Sequence, residues 1–214
     1  MSMDTDQLIR TLAADNTHRP RPVGLALMLA LLAAAPVSLL IFFAELGVRP
    51  DVMTAMHNPF FDLKFAVTLA LAASAIAVSL HLSRPEASLS GFGWWLLIPA
   101  GILVAAISGE MMIPQRTPMM TRLIGKNSIP CMSAIPAMSL PLLAGALYGL
   151  RQGAPSRPAV AGAVAGMLSA GLAATIYASH CTDDSPLFVA TWYTLATAIV
   201  ATVGALVGRR VLRY

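Results

Sequence analysis

The chain has 214 residues, of which 57% are hydrophobic and 11% are charged, and its mean hydropathy is +0.72. Soluble globular proteins carry about 25% charged residues, so this sequence predicts an integral membrane protein. The composition excludes a disordered chain, a collagen-like repeat and a secreted disulfide scaffold, and the modest net charge of +4 does not indicate nucleic-acid binding.

Six uncharged stretches are long enough to cross a bilayer, which takes about 20 residues of helix. Continuous apolar runs satisfy their backbone hydrogen bonds in lipid only as helices, and the alternating pattern of an outer-membrane barrel is missing. The sequence therefore predicts an all-α, polytopic membrane protein with six transmembrane helices. The predicted spans are residues 23–44, 65–83, 87–109, 127–150, 158–180 and 185–208.

The predicted organisation has three parts, which are a polar N-terminal segment (1–22), the six-helix bundle (23–208) and a basic tail (209–214). An even number of spans places both termini on the same side of the membrane. If that side is the cytoplasm, nine of the 14 basic residues are cytoplasmic and five are outside. Because cytoplasmic loops are enriched in Lys and Arg, both termini are predicted to be cytoplasmic.

The residues within the spans predict how the helices meet. Three glycine pairs have the four-residue spacing that lets membrane helices approach closely, although an Ala/Gly-rich chain also produces such pairs by chance. The pairs are Gly145 and Gly149, Gly162 and Gly166, and Gly204 and Gly208. Three prolines, Pro130, Pro136 and Pro141, remove backbone donors from the fourth span and predict a kink there.

No enzyme signature occurs, whether for phosphate binding, zinc-dependent proteolysis, serine hydrolysis or dinucleotide binding. The chain is therefore predicted not to be an enzyme. No predicted span carries a charge at its centre, which disfavours an ion-coupled transporter. Glu110 lies about one turn inside the outer end of the third span and is expected to reach the membrane interface.

The two cysteines are the most informative residues. Cys131 begins the fourth span and Cys181 follows the fifth, so both are expected at the outer face, on antiparallel neighbouring helices. An oxidising outer compartment permits a disulfide between them, and a deprotonated pair can bind a soft metal. A static disulfide and a pair of inert buried thiols are the alternatives.

Residues near the cysteines favour thiol chemistry. His180 adjoins Cys181, and a protonated imidazole would lower the pKa of that thiol and make it more reactive. Several methionines in the same outer region could add thioether ligands, although flexible packing is their commoner use. These methionines are Met111, Met112, Met119, Met120 and Met132.

The N-terminal segment is a candidate binding element. Asp4 followed by Gln7 resembles a helix start, and three apolar side chains then share one helical face. About a dozen residues are too few to hold a helix alone in water, so docking on a partner would stabilise it. A frayed leader on the membrane surface is the alternative. The apolar face consists of Leu8, Ile9 and Leu12.

Across essentially its whole length the sequence resembles the NrsF-type negative regulators of sigma factor. The pattern is specific because it combines the spacing of Cys131, a Gly-rich span and a His-Cys pair at the end of that span. The matching segments are residues 3–15, Cys131 with 135–141, 151–155, 158–166, 177–181 and 188–193.

The resemblance implies a six-span anti-sigma factor of the bacterial inner membrane, which holds an extracytoplasmic-function (ECF) sigma factor at the cytoplasmic face. It implies that Cys131 and Cys181 sense thiol-reactive metals or oxidants, and that the leader contributes to sigma binding. No cofactor is required and no direct DNA binding is expected; a soft metal could bind the two thiols transiently as the signal. The candidate sigma-binding residues are Leu8, Ile9, Leu12 and Asp15.

These elements predict a transmembrane switch. A signal joins Cys131 to Cys181 through a disulfide or a shared metal, the fourth and fifth spans shift, and the loop from Arg151 to Arg157 loses its hold on the sigma factor. The reverse sign, in which a resting disulfide or metal holds the repressing state, is equally compatible with the sequence.

Two other functions compete with this one. A membrane thiol-disulfide oxidoreductase linked to quinone would use the same cysteines, but such enzymes need a second exchanging pair and this chain has two cysteines and no CxxC motif. A soft-metal transporter using the methionines is weakened by the lack of polar groups at mid-membrane.

Overall fold

The computed structural model describes residues 4–14, 22–85, 87, 90–114 and 117–213. These residues form α-helices joined by short loops, and no β-strand occurs among them. The helices are α1 (Thr5–Ala14), α2 (Val23–Glu45), α3 (Val52–Ala55), α4 (Pro59–Leu82), α5 (Ile98–Met112), α6 (Met119–Ile124), α7 (Ser128–Leu150), α8 (Pro158–Ala178), α9 (Pro186–Phe188) and α10 (Thr194–Val211). A 3-10 turn, Gly93–Leu97, leads into α5, and a π-helical turn, Val189–Tyr193, joins α9 to α10.

Within the described residues, six helical stretches are long and apolar enough to cross a membrane. The all-α fold with six spans is therefore confirmed. The stretches are Val23–Glu45, Pro59–Leu82, Gly93–Met112, Met119–Leu150, Pro158–Ala178 and Pro186–Val211.

The start of the second span at residue 65 was predicted wrongly. The helix begins six residues earlier, at Pro59, because the Asn58 side chain accepts a hydrogen bond from the backbone N–H of Phe60 (3.1 Å) and proline suits the first helical position. Lys64 lies just outside the predicted span, which starts at residue 65. In the structure it lies inside α4, where it is only 1% exposed.

Helix α8 lies at the centre of the bundle and packs against α4, α7 and α10. Many of its residues are small. Of the residues in its apolar stretch, 61% are buried, compared with 17% in the peripheral α2. The other helices surround α8 because its small side chains let their backbones come close.

Two of the predicted glycine seams account for this close approach. On α8, a Cβ placed at Gly166 would lie 2.6 Å from Ala201 Cα of α10, and Gly162 faces Gly204 of the same helix. The third pair belongs to another interface, where a Cβ at Gly149 of α7 would lie 2.5 Å from Leu27 Cα of α2. All three pairs are therefore contact faces, as the sequence predicts.

The prolines of the fourth span are accommodated within one continuous helix, α7. Pro130 lies in its first turn, where a backbone N–H has no partner inside the helix, while Pro136 and Pro141 lie in its interior. The predicted kink stays a prediction.

We expect Gly166→Ala to lower the free energy of unfolding by about 1–3 kcal/mol, because the new methyl group forces α8 and α10 apart. Gly101→Ala in α5 is the matched control, since a Cβ there meets nothing within 4 Å and alanine favours a helix by about 0.5–1 kcal/mol. Unfolding of the two variants in detergent micelles would measure the difference. Equal free energies of unfolding for the two variants would contradict a close contact between α8 and α10 at Gly166.

Candidate functional site

Both cysteines lie at the same end of the bundle, which we call the cysteine end (residues 46–58, 117–131 and 179–185). Each is 0% exposed, and both belong to one buried cluster that includes Tyr177, Phe188 and Tyr193. Both are free thiols. The structure thus brings the two predicted residues into one cluster.

Cys131 and Cys181 are held by different elements. Cys131 is in the first turn of α7, where its backbone N–H donates to Asn127 O (2.9 Å), and Asn127 O also accepts from the Tyr177 hydroxyl (3.4 Å). Cys181 follows the end of α8, with its backbone N–H donating to Tyr177 O (3.0 Å) and its thiol to Asp183 O (3.7 Å). Tyr177 therefore connects the two positions.

Seven residues, 179–185, connect α8 to α9, and we call the last five of them, 181–185, the Cys181 segment. Two buried cations bind its first carbonyl group: Lys64 Nζ donates to Cys181 O at 2.8 Å and Arg49 Nη1 donates to it at 3.2 Å. A buried cation needs compensating partners, and a carbonyl alone carries no full negative charge.

Asp184 supplies that charge. Its carboxylate is 2.6 Å from Lys64 Nζ and 3.0 Å from Arg49 Nη1. Arg49 also pairs with Asp51 at 2.7 Å, and the hydrogen bond to Asp51 raises the pKa of Arg49 above its ordinary value, so that it stays charged although buried. Correspondingly, the hydrogen bond from Arg49 lowers the pKa of Asp51.

Asp183 ties the same segment to the helix that carries Cys131. Its carboxylate accepts hydrogen bonds from the backbone N–H groups of Lys126 and Asn127, both at 2.8 Å, just before α7 begins. Such an interaction satisfies donors that a helix start leaves free, and it is favoured by the helix dipole. Gly125 (φ 61°) makes the turn possible, because a Cβ there would lie 2.7 Å from the Asp183 carboxyl carbon.

Ser185 links the segment to the third span. Its hydroxyl donates to Glu110 Oε1 at 2.7 Å, and Arg122 Nη1 lies 2.9 Å from the same oxygen. Glu110 is 3% exposed and faces inward, because Ser185 and Arg122 both bind its carboxylate there. That it reaches the membrane interface stays a prediction.

His180 does not have the surroundings expected of a thiol activator. Its Nδ1 lies 2.9 Å from Gly47 O, a carbonyl that can only accept, so the imidazole donates to the loop after α2. Burial raises the pKa of Cys181, and the cation that opposes this effect is Lys64. The predicted lowering of the pKa by His180 is therefore not what the structure produces.

The methionines named in the sequence do not line the thiols. Met111, Met112, Met119 and Met120 are exposed, and Met132 packs at the edge of the cysteine cluster. Within the described ranges, no group of three or more His, Cys, Asp or Glu side chains could hold a metal ion.

The N-terminal segment contains the expected short helix, α1. The backbone N–H of Gln7 donates to Asp4 O at 2.9 Å, as at a helix start, and Ile9 is exposed. Asp15 and the side chains of Leu8 and Leu12 lie outside the described residues.

Sequence reasoning missed Lys64, Arg49 and Asp184 as parts of this site. One signal was available, because Asp183 and Asp184 are adjacent acidic residues in a strongly apolar half of the chain, and they begin two residues after Cys181. Charges in such a position need buried cationic partners.

The surroundings of Cys181 predict how it titrates. In a Cys131→Ser variant, the pH midpoint for alkylation of Cys181 should lie above about 8.5, the ordinary value for a thiol, because burial disfavours the thiolate. Rates of maleimide labelling of the detergent-solubilised protein across pH would measure it. A midpoint below the ordinary value would show that neighbouring cations outweigh burial.

Comparisons with known proteins show the family of the chain. A family model described as "Negative regulator of sigma F" (NrsF) matches residues 12–214. The chain is 34% identical to "Anti-sigma-F factor NrsF" of Caulobacter vibrioides (strain NA1000 / CB15N) over 218 residues, covering 99% of this chain and 100% of the relative. It is 32% identical to "Probable anti-sigma-F factor NrsF" of Azospira oryzae (strain ATCC BAA-33 / DSM 13638 / PS), with the same coverage.

No solved structure matches the chain. The family model nevertheless spans all six membrane-crossing helices and both cysteines, and the two relatives are matched over their full lengths. The chain therefore belongs to the NrsF family of negative regulators of sigma F.

Proposed function

We propose that the protein is an inner-membrane anti-sigma factor that holds an ECF sigma factor at the cytoplasmic face. It releases this partner when Cys131 and Cys181 react with a thiol-reactive oxidant or metal on the other side of the membrane. The observation that carries the proposal is the burial of two free thiols in one cluster. One thiol is in the first turn of α7 and the other follows the end of α8, and these two helices run from the cysteine end to the opposite end.

The opposite end, which we call the arginine end, suits a cytoplasmic position. It comprises the start of α2, the loop between α7 and α8, and the end of α10. Ala154 N donates to Ser83 O at 3.0 Å, so the α7–α8 loop packs against the end of α4. The exposed basic residues of this end are Arg84, Arg151, Arg157, Arg209, Arg210 and Arg213. The enrichment of cytoplasmic loops in arginine supports this orientation, with both termini inside.

The sigma factor would meet the leader at this same end. α2 begins at Val23 at the arginine end, so α1 is tethered close to the α7–α8 loop. The proposed contact surface is the leader, with Leu8, Ile9, Leu12 and Asp15, together with that loop. The protein itself needs no cofactor, catalyses no reaction and regulates transcription without binding DNA.

The chemical step is oxidation of the pair. Two thiols lose two electrons and two protons to form one S–S bond, and an oxidant such as a peroxide accepts them and is reduced to water. A shared soft metal is the second possible link, but it would need two thiolates in a buried site, with no third ligand among the described residues to complete it.

The switch has a minimum energetic requirement. Raising the population of the sigma-releasing conformation from about 1% to 99% takes roughly 5.5 kcal/mol. A disulfide that closes the loop of about 50 residues between Cys131 and Cys181 supplies about 4 kcal/mol relative to an unrestrained chain. It supplies less when the helices are already packed. The cross-link must therefore also disfavour the packing of α7 against α8 in the repressing state.

Capture of the partner tests this function. With a C-terminal tag and gentle solubilisation, a sigma factor should co-purify from untreated cells and be absent after treatment with a peroxide or a soft metal. The Cys131→Ser/Cys181→Ser double variant should retain the sigma factor under both treatments. Met120→Leu, a change at an exposed residue of the same end, should behave as the wild type.

Each contrary outcome has a definite meaning. If the double variant still releases the sigma factor under thiol stress, the cysteines are not the sensor. If it never holds the sigma factor, the sign of the switch is reversed. If no sigma factor is captured from the wild type under any condition, the anti-sigma function is wrong and quinone-linked thiol oxidation is the next assay.

A further inference from the structure

The buried thiols pose an accessibility problem that the sensing function does not solve by itself. Cys131 and Cys181 are both fully buried, so any reagent in the outer compartment reaches them only after some part of the cysteine end opens. The part that opens should be short and held by polar contacts rather than by apolar packing, since the apolar helix contacts in the bundle are far more extensive.

The Cys181 segment meets this description. It has no regular secondary structure from Cys181 to Ser185, and each of its anchors is a polar contact to another element. Among these anchors, Lys64 contacts three groups of the segment at once: its ammonium group binds Asp184 (2.6 Å), Cys181 O (2.8 Å) and Asp183 O (3.5 Å).

Lys64 is also placed to hold the segment from within the bundle. It is 1% exposed, on the second turn of α4, with its ammonium 5.2 Å from the centre of the Phe61 ring. Asp184 has a second partner in Arg49, so removal of Lys64 leaves this carboxylate paired. Removal of Asp184, in contrast, leaves Lys64 with carbonyl oxygens only.

We propose that the ion pair between Lys64 and Asp184 is a latch that controls access to the Cys131–Cys181 thiols. With the latch closed, the Cys181 segment covers both cysteines, because the same segment also fixes the start of α7 through Asp183. When the pair separates, the Cys181 carbonyl group loses one of its two cationic donors and the segment can lift away. Lys64 is a positioning residue here and does not react with the signal.

The test measures thiol reactivity in the purified full-length protein in detergent. Rates of maleimide alkylation at fixed pH are compared for the wild type, Lys64→Met and Asp184→Asn, with helix content followed by circular dichroism in the same samples. Both variants should react at least about tenfold faster than the wild type, because each loses the ion pair that holds the Cys181 segment. The increase should be larger for Asp184→Asn, which leaves the buried Lys64 charge without an anion. Lys64→Arg keeps a cation at this position and should react more slowly than Lys64→Met, although a guanidinium group differs in shape from an ammonium group.

Two matched controls separate the latch from a general effect of charge. Asp62→Asn changes an exposed acid in the first turn of α4, and Glu45→Gln changes an exposed acid at the end of α2, next to the cysteine end. Both should leave the alkylation rate within about twofold of the wild type, because exposed charges contribute little.

The latch is wrong if Lys64→Met and Asp184→Asn alkylate at the wild-type rate. It is equally wrong if alkylation of either variant proceeds only as fast as its helix content is lost, because global unfolding would then expose the thiols. The inference rests on the proposed sensing function, but the two fail separately: alkylation needs no sigma factor, and capture of the sigma factor does not depend on the alkylation rate.

Discussion

The carboxylate of Asp184 is the charge on which the cysteine end depends. Two cations, Lys64 and Arg49, are buried beside it, and burying a charged group is costly unless an anion lies nearby. Because both cations also bind the Cys181 carbonyl group, the requirement for charge balance fixes the backbone next to the thiol. The position of Cys181 is thus set by electrostatics, whereas that of Cys131 is set by the start of a helix.

The helix bundle and the cysteine end are held together by different interactions. Contacts between α8 and α10 and between α7 and α2 depend on glycines that let backbones meet, so these interfaces tolerate little movement without losing dispersion contacts. At the cysteine end, charged and polar groups replace small residues, and ion pairs and hydrogen bonds hold the connecting segment in place of close backbone packing. A rigid interior with a polar end can respond to a signal without unfolding.

The fold could be predicted from the sequence because a bilayer imposes it. Uncharged stretches of sufficient length have to be helical, and the glycine spacing gave the contact faces correctly. The helix boundary at Pro59 was missed because a charged residue, Lys64, was assumed to mark the end of a span. That assumption fails wherever another part of the chain supplies the opposite charge.

The same limitation applied to the site. Cys131 and Cys181 were placed together correctly, since antiparallel neighbouring helices bring their ends to one face. The role expected of His180 followed from its adjacency to Cys181, but neighbours in sequence point in different directions and its imidazole binds Gly47. Pairs such as Lys64 with Asp184, far apart along the chain, depend on tertiary packing that no local pattern encodes.

The π-helical turn at Val189–Tyr193 follows the Cys181 segment almost directly and places Tyr193 in the cysteine cluster. A π turn accommodates one residue more than an α turn, and each residue of an α-helix corresponds to a rotation of about 100°. The turn therefore sets the rotation of α10 about its own axis. Gly204 can face Gly162 only while this wide turn persists. The turn therefore fixes the angle between the residues that join the cysteine cluster and the glycines that contact α8.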